Sequence, residues 1–136
     1  ETRIAYARVD ERPVDEVERF EVLADRVQVV RQRFPAAGTD NALVTLHVAD
    51  LSSGAVRQLD LGAETDIYLA RVAWYPESDA LLVQRQARDQ RRLDLLRMPA
   101  DGREPRLLFS ETSDTWVELH DDLRFLPSRR QFVWAS

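Results

Sequence analysis

The sequence has no cysteine and no lysine. The first absence excludes disulfides, thiol nucleophiles and cysteine-based metal sites, and the second removes lysine from the possible catalytic groups. There is no run of about 18 apolar residues, so the sequence predicts no transmembrane helix. All 19 basic residues are arginine, and 24 acidic residues outnumber them to give a net charge of −5. This balance argues against nucleic acid or an anionic membrane surface as the main partner.

Catalytic motifs are also missing. Seven serines occur, but none lies in the Gly-x-Ser-x-Gly turn of an α/β-hydrolase. The only histidines are His47 and His120, and we interpret His47 as a packed or rim residue of a strand. The sequence His120-Asp121-Asp122 is interpreted as a polar turn, because no second ligand cluster is placed to complete a metal site. We therefore predict no catalytic residue, no metal and no cofactor in this chain.

The sequence does contain a regular succession of strands and turns. Between residues 66 and 109, four apolar or alternating runs are separated by turn-forming residues. The runs cover residues 67–74, 80–86, 92–98 and 105–109. Four short strands joined by tight turns predict an antiparallel meander. Such a unit cannot bury both faces alone, so it belongs in a stack or ring of similar units.

Strand patterns also flank this meander. They predict strands at residues 3–9, 43–51 and 55–61, and extended runs at 115–119, 123–126 and 131–134. Both ends of the chain fall in strand patterns, from which we expect a piece of a longer chain. The predicted fold class is all-β, with about two and a half antiparallel four-stranded propeller blades. The predicted division is 1–62 as the end of one blade with an extended insertion, 66–109 as one complete blade, and 115–136 as the start of the next.

Residues 14–34 allow two interpretations. Their apolar residues recur every three or four positions, which favours a helix; these are Val14, Val17, Phe20, Leu23, Val27, Val30 and Phe34. The alternation from Phe20 to Ala24 and from Val27 to Val29 instead favours a hairpin that turns at Asp25-Arg26. Periodicity alone predicts the helix.

We interpret two further groups of residues as parts of the fold and not of a binding site. An arginine cluster around one turn predicts a solvated hairpin rim; its members are Arg85, Arg88, Arg91 and Arg92. Large aromatic residues in or beside the strands predict packing between blades; these are Tyr68, Trp74, Trp116 and Trp134.

Five stretches of the chain follow a known pattern in order: residues 3–14, 34–41, 66–74, 84–95 and 132–136. Together they resemble the N-terminal β-propeller domain of the dipeptidyl peptidase IV family of serine peptidases, particularly its bacterial members. The loop at 34–41, which reads Phe-Pro-Ala-Ala-Gly-Thr-Asp-Asn, is similar to the family's Tyr-Pro-Lys-Ala-Gly-x-x-Asn-Pro. Ala42 stands where the family has the last proline. The resemblance implies extended, hairpin-like structure for residues 17–34, and it implies eight blades in the intact protein.

The resemblance also implies a function. The parent enzyme would remove N-terminal X-Pro or X-Ala dipeptides, using a Ser/Asp/His triad in a C-terminal α/β-hydrolase domain of the same chain. The propeller would gate and position the peptide substrate, the parent would be periplasmic or secreted, and this chain alone would be inactive. The family's paired glutamates, which bind the substrate's α-ammonium, would lie upstream of Arg3. The segment around 116–120 approaches the substrate side in the family, so Trp116, Glu118 and His120 are the candidate substrate-binding residues.

Two alternatives remain open at this point. One is an autonomous periplasmic β-domain, either a sandwich or a small barrel, that binds a partner. The other is a propeller scaffold from a non-peptidase that acts as a protein-interaction module. In either case, open strand edges would favour a homo-oligomer or other self-association.

Overall fold

The fold is given by a computed structural model that describes residues 2–77, 79–126 and 131–135. Within these ranges there are eleven strands and no helix, and all strand pairs are antiparallel. None of the described residues forms a helix that could cross a membrane. The all-β, antiparallel class predicted from the sequence is therefore confirmed.

In chain order the strands are β1 (Arg3–Asp10), β2 (Glu16–Val22), β3 (Val27–Arg33), β4 (Leu43–Asp50), β5 (Val56–Leu59), β6 (Ile67–Trp74), β7 (Ala80–Ala87), β8 (Arg92–Pro99), β9 (Arg106–Thr112), β10 (Arg124–Leu126) and β11 (Gln131–Val133).

The centre of the fold is the four-stranded sheet β6-β7-β8-β9, whose strands pair in sequence order. Because alternate side chains of a strand point to opposite faces, each inner strand supplies both faces with apolar residues. Leu81 and Val83 of β7 pack into one cluster, and Ala80 and Leu82 pack into the other. The sheet is therefore the middle layer between two apolar clusters.

Each cluster joins the central sheet to a different neighbour. The first cluster includes Leu46, Val48 and Leu59 from the three-stranded sheet β1-β4-β5. Packed against the second are Phe125 and Phe132, from the two-stranded sheet β10-β11. Successive sheets thus bury their apolar faces against one another, which is the packing expected of stacked four-stranded units.

Residues 14–34 form a hairpin, so the helix predicted from periodicity is wrong and the extended structure implied by the resemblance is confirmed. Strands β2 and β3 make a two-stranded sheet that pairs with no other described strand. Phe20 pairs with Val29 and Val22 with Val27, which places the four side chains on one face. That face is open, with Phe20 71% and Val22 77% exposed.

The remaining strand predictions differ from the structure mainly at their boundaries. The fourth strand of the central sheet reaches Thr112, three residues beyond the predicted end, whereas β5 is shorter than the predicted run 55–61. Residues 115–119, predicted as an extended run, form no strand in the structure. The turn predicted at 127–130 lies outside the described residues.

Candidate functional site

The segment that follows β9 carries the three candidate substrate-binding residues. Val117 anchors it, because its N–H donates to the Gln90 carbonyl at 2.7 Å and its own carbonyl accepts from Gln86 Nε2 at 3.1 Å. The Val117 side chain is buried, at 4% exposure. In extended backbone the neighbours of an inward residue point outward. Trp116 and Glu118 are accordingly both exposed.

Trp116 and Glu118 form a joined pair on the surface. The indole Nε1–H of Trp116 donates to Glu118 Oε2 at 3.1 Å, and Trp116 is 60% exposed. Within the described residues Trp116 packs against neither apolar cluster, unlike Trp74 and Trp134. An aromatic face beside a carboxylate can contact an apolar side chain and a hydrogen-bond donor at the same time.

His120 lies in a different environment from that pair. Its ring is half-buried and packs against Trp134, with 4.4 Å between the ring centroids. The ring nitrogen Nδ1 accepts a hydrogen bond from the Asp122 backbone N–H at 3.3 Å. The other nitrogen, Nε2, is buried and has no hydrogen-bond partner among the described residues. The structure therefore does not bring His120 into the Trp116–Glu118 pair.

His120 contributes to a cavity of about 170 Å³ between the central sheet and residues 120–123. Gln84, from β7, lines the same cavity; it is 4% exposed, and its Oε1 is not hydrogen-bonded within the part of the chain that the structure describes. Arg71 and Asp121 line it as well, and they form an ion pair with 2.6 Å between Nε and Oδ1. The hydrogen bond from Arg71 lowers the pKa of Asp121 below its ordinary value. The cavity is therefore lined by an exposed ion pair and by residues of the central sheet.

A buried carboxylate in β8 organises the neighbouring part of the sheet. Asp94 is 3% exposed and accepts hydrogen bonds from Arg85 at 2.6 Å, Arg92 at 2.8 Å and Ser110 at 2.6 Å. Arg85 also donates to the Leu61 carbonyl. Burial raises the pKa of Asp94, but the hydrogen bonds from Arg85, Ser110 and Arg92 outweigh burial and leave this pKa below its ordinary value.

Arg88 links the loop after β3 to the central sheet. Its Nη2 donates to the carbonyl oxygens of Pro35 at 3.0 Å and Ala36 at 3.2 Å, and its guanidinium lies 5.6 Å from the Tyr68 ring centroid. The guanidinium therefore fastens the loop after β3 to the central sheet. The prediction of a solvated rim is wrong for Arg88 and for Arg85, since both bind groups within the fold.

The other histidine also packs against an aromatic residue. His47 stacks on Tyr6 across the β1–β4 ladder, with centroids 5.2 Å apart, and its Nε2 lies 2.9 Å from Thr45 Oγ1. Within the described ranges, no three His, Asp or Glu side chains come together in a way that could hold a metal ion.

The comparisons with known proteins bear on the whole chain. The sequence matches the family described as the dipeptidyl peptidase IV (DPP IV) N-terminal region over residues 1–136. Among solved structures, a candidate dipeptidyl aminopeptidase IV from Bacteroides ovatus is 28% identical with a TM-score of 0.79, over 93% of this chain and 18% of that chain. Dipeptidyl peptidase 4 from Porphyromonas gingivalis is 22% identical with a TM-score of 0.80, over 92% of this chain and 18% of that chain, and shows the fold alone.

The extent of these matches defines what this chain is similar to. It spans about a fifth of the length of either bacterial protein, and nearly all of its own residues superpose on them. Its sheets therefore have the arrangement found in the β-propeller of that family. This chain belongs to the dipeptidyl peptidase IV N-terminal region family.

Proposed function

We propose that this chain is a non-catalytic part of the propeller of a serine peptidase similar to dipeptidyl peptidase IV. The observation that carries the proposal is the family match over all 136 residues. The parent enzyme removes X-Pro or X-Ala dipeptides from N-termini, and the propeller gates and positions the peptide. A C-terminal α/β-hydrolase domain of the same polypeptide supplies the nucleophile. The parent is periplasmic or secreted.

The proposal includes a division of the chain into blades. Residues 1–62 are the end of one blade with the β2–β3 hairpin inserted, 66–109 are a complete blade, and 115–136 begin the next. Three observations support this division: the sheet β1-β4-β5 has three strands, the central sheet has four, and both pack through apolar clusters. We further propose eight blades for the intact propeller.

Within this function, the Trp116–Glu118 pair lines the path of the peptide beyond the cleaved bond. The support is geometric: the Val117 anchor holds both side chains outward and their hydrogen bond fixes their relative position. His120 packs against Trp134 and acts as a positioning residue for the segment.

The parent protein is expected to hydrolyse an X-Pro anilide, and residues 1–136 alone are expected not to. In the parent, Trp116→Ala should raise KM roughly fivefold for a substrate of six or more residues, because an aromatic contact is worth about 1 kcal/mol. The KM for the short anilide should not change, since that substrate does not reach the pair. Steady-state kinetics with the two substrates measure both values.

A matched control is Phe20→Ala, which removes another exposed aromatic residue, in the β2–β3 sheet. It should leave both KM values unchanged. Absence of dipeptidyl peptidase activity in the parent would refute the enzyme assignment and favour an interaction module. Equal effects of Trp116→Ala on both substrates would retain the peptidase but remove the pair from the peptide path.

We also propose that the isolated chain self-associates. Among the described strands, β1 and β6 each have one unpaired edge, and such edges pair readily with another chain. The open apolar face of the β2–β3 hairpin adds to this tendency. Light scattering should show a mass that rises with concentration, and a monodisperse monomer at high concentration would contradict the proposal.

A further inference from the structure

The turn between β7 and β8 contains a residue in an unusual backbone conformation. Gln90 has a φ of 61°, and among the described residues every other positive φ belongs to a glycine. A residue with a side chain rarely adopts this left-handed region, because its Cβ is crowded there. Such a conformation persists only where surrounding contacts impose it, and it is often found at functional sites. The contacts of Gln90 therefore indicate its role.

The backbone of Gln90 is hydrogen-bonded on both sides. Its N–H donates to the Ala87 carbonyl at 2.9 Å, which closes the turn, and its carbonyl accepts from the Val117 N–H at 2.7 Å. Four residues earlier, Gln86 donates from Nε2 to the Val117 carbonyl at 3.1 Å, and Gln86 is 3% exposed. The two glutamines thus bind both backbone polar groups of the residue that anchors the segment after β9.

The left-handed conformation directs the Gln90 carbonyl at Val117. The direction of a carbonyl depends on the dihedral angles of its own residue, so an extended or right-handed Gln90 would point this oxygen elsewhere. The Gln90 side chain is exposed and makes no hydrogen bond with any described residue. The contribution of Gln90 to this contact therefore comes from its backbone.

The segment after β9 has a second attachment to the same turn. The Ser113 N–H donates to the Arg91 carbonyl at 3.0 Å, which holds the beginning of the segment. Loss of the Gln90 bond would therefore loosen the part around Val117 without releasing the whole segment.

We propose that Gln90 is a positioning residue for peptide binding. Its left-handed backbone holds the Val117 N–H, while Gln86 holds the Val117 carbonyl. These two bonds fix the direction in which Trp116 and Glu118 project. Gln90 acts through Val117 and does not touch the peptide. This inference rests on the proposed function, in which the Trp116–Glu118 pair contacts the peptide beyond the cleaved bond.

The test is a pair of substitutions in the full-length parent. Gln90→Val disfavours the left-handed conformation, because a β-branched residue is an outlier there, whereas Gln90→Gly adopts it readily. The measured quantity is the KM for a substrate of six or more residues divided by the KM for the X-Pro anilide. Gln90→Val should raise this ratio about threefold, since part of the aromatic contact of Trp116 is lost. Gln90→Gly should keep the wild-type ratio.

Two further readouts separate positioning from a general loss of stability. Hydrogen exchange followed by mass spectrometry should show faster exchange around Val117 in Gln90→Val and wild-type protection in Gln90→Gly. In combination with Trp116→Ala, Gln90→Val should add less to the KM ratio than it does alone, because both changes affect the same contact.

The matched control is Gly54→Val, in the turn between β4 and β5. Gly54 also has a positive φ, 72°, and a Cβ added there would meet no described atom within 4 Å. The substitution introduces the same backbone conflict at a turn that makes no hydrogen bond to the segment after β9 within the described ranges. It should lower the melting temperature at least as much as Gln90→Val and leave the KM ratio unchanged.

The outcomes distinguish this role from the proposed function. An unchanged KM ratio in a folded, active Gln90→Val would overturn the role and leave the peptidase assignment in place. Equal rises in Gln90→Val and Gln90→Gly would also overturn it, since the side chain would then be required. A parent without dipeptidyl peptidase activity would refute the proposed function and this role with it. If Gln90→Val does not fold, Gln86→Met, which removes the donor to Val117, should raise the ratio, and no rise would overturn the role.

Discussion

Replacement of Asp94 by asparagine is expected to lower the free energy of unfolding by about 3 kcal/mol. The carboxylate is 3% exposed and accepts hydrogen bonds from Arg85, Arg92 and Ser110. Asparagine keeps the volume but loses the charge, which leaves the Arg85 guanidinium, 21% exposed, without its anion. Arg92 is 54% exposed, so solvent screens its share of the loss. Urea denaturation measures the difference.

The matched control is Asp101→Asn. Asp101 also accepts a hydrogen bond from an arginine, Arg103, at 2.8 Å, but both side chains are exposed. This variant should unfold at the wild-type urea concentration. If Asp94→Asn and Asp101→Asn behaved alike, burial of the Asp94 network would add nothing to stability.

The stabilisation of the fold by the Asp94 carboxylate should also decrease at low pH. Because its pKa is lower in the folded protein than in the unfolded chain, ionisation of this group stabilises the fold. That contribution is complete above the unfolded pKa, near 3.9, and is lost as the pH falls through the lower folded value. The difference between wild type and Asp94→Asn should thus be constant from about pH 5 to 7 and should narrow only below about pH 4.

Leu81→Ala is expected to lower the free energy of unfolding by about 3–4 kcal/mol. Leu81 is 0% exposed and lies in the cluster that joins the central sheet to β4 and β5. Truncation removes apolar contacts and leaves a cavity between two sheets that cannot collapse without separating their strands. Chemical denaturation, with the slope compared to that of the wild type, gives the change.

Two controls separate packing from side-chain type. Leu107→Ala, in β9, truncates a leucine that is 48% exposed and should cost less than about 1 kcal/mol. Leu81→Met keeps the volume and should cost less than about 1.5 kcal/mol. Equal losses for Leu81→Ala and Leu107→Ala would contradict the packing of the two sheets described above.

The central sheet could be predicted from the sequence because the lengths of the apolar runs and the composition of the turns indicate the same strand boundaries. Each run has the length of a strand, and each turn contains residues that favour turns. The predicted bounds 67–74 match β6, and 80–86 and 92–98 fall one residue short of the ends of β7 and β8. Where an extended pattern has no neighbouring strand to pair with, as at 115–119, no strand forms.

The helix prediction for residues 14–34 failed for a geometric reason. Apolar and polar residues alternate within each of two short strands, which are separated by a four-residue loop, 23–26. The loop shifts this alternation by one residue, so the apolar residues of the two strands together recur with a period near 3.6. This period predicts a helix only if the apolar residues are assumed to form one buried face. Phe20 and Val22 are instead more than two-thirds exposed, so there is no buried stripe for a helix to present.

The polar cavity and the Asp94 network could not be predicted at all from spacing. Gln84 and His120 are 36 positions apart, and their proximity depends on how the segment after β9 folds back on the sheet. The sequence did contain one weak signal. Gln84 directly follows the apolar run 80–83 and Asp94 lies between Leu93 and Leu95, and a polar residue at an inward position requires either a partner or a ligand.

Strands β7 and β8 are covered on both faces and hydrogen-bonded along both edges, whereas β6 and β9 each have one edge that no described strand occupies. Backbone opening can therefore start at the margins of the sheet while the inner hairpin remains intact. Amide protons of β7 and β8 will exchange with solvent only when the whole unit unfolds, and those of the outer strands will exchange through smaller openings. Local stability thus declines outward from a single hairpin, and a protease would gain access to the chain at the margins first.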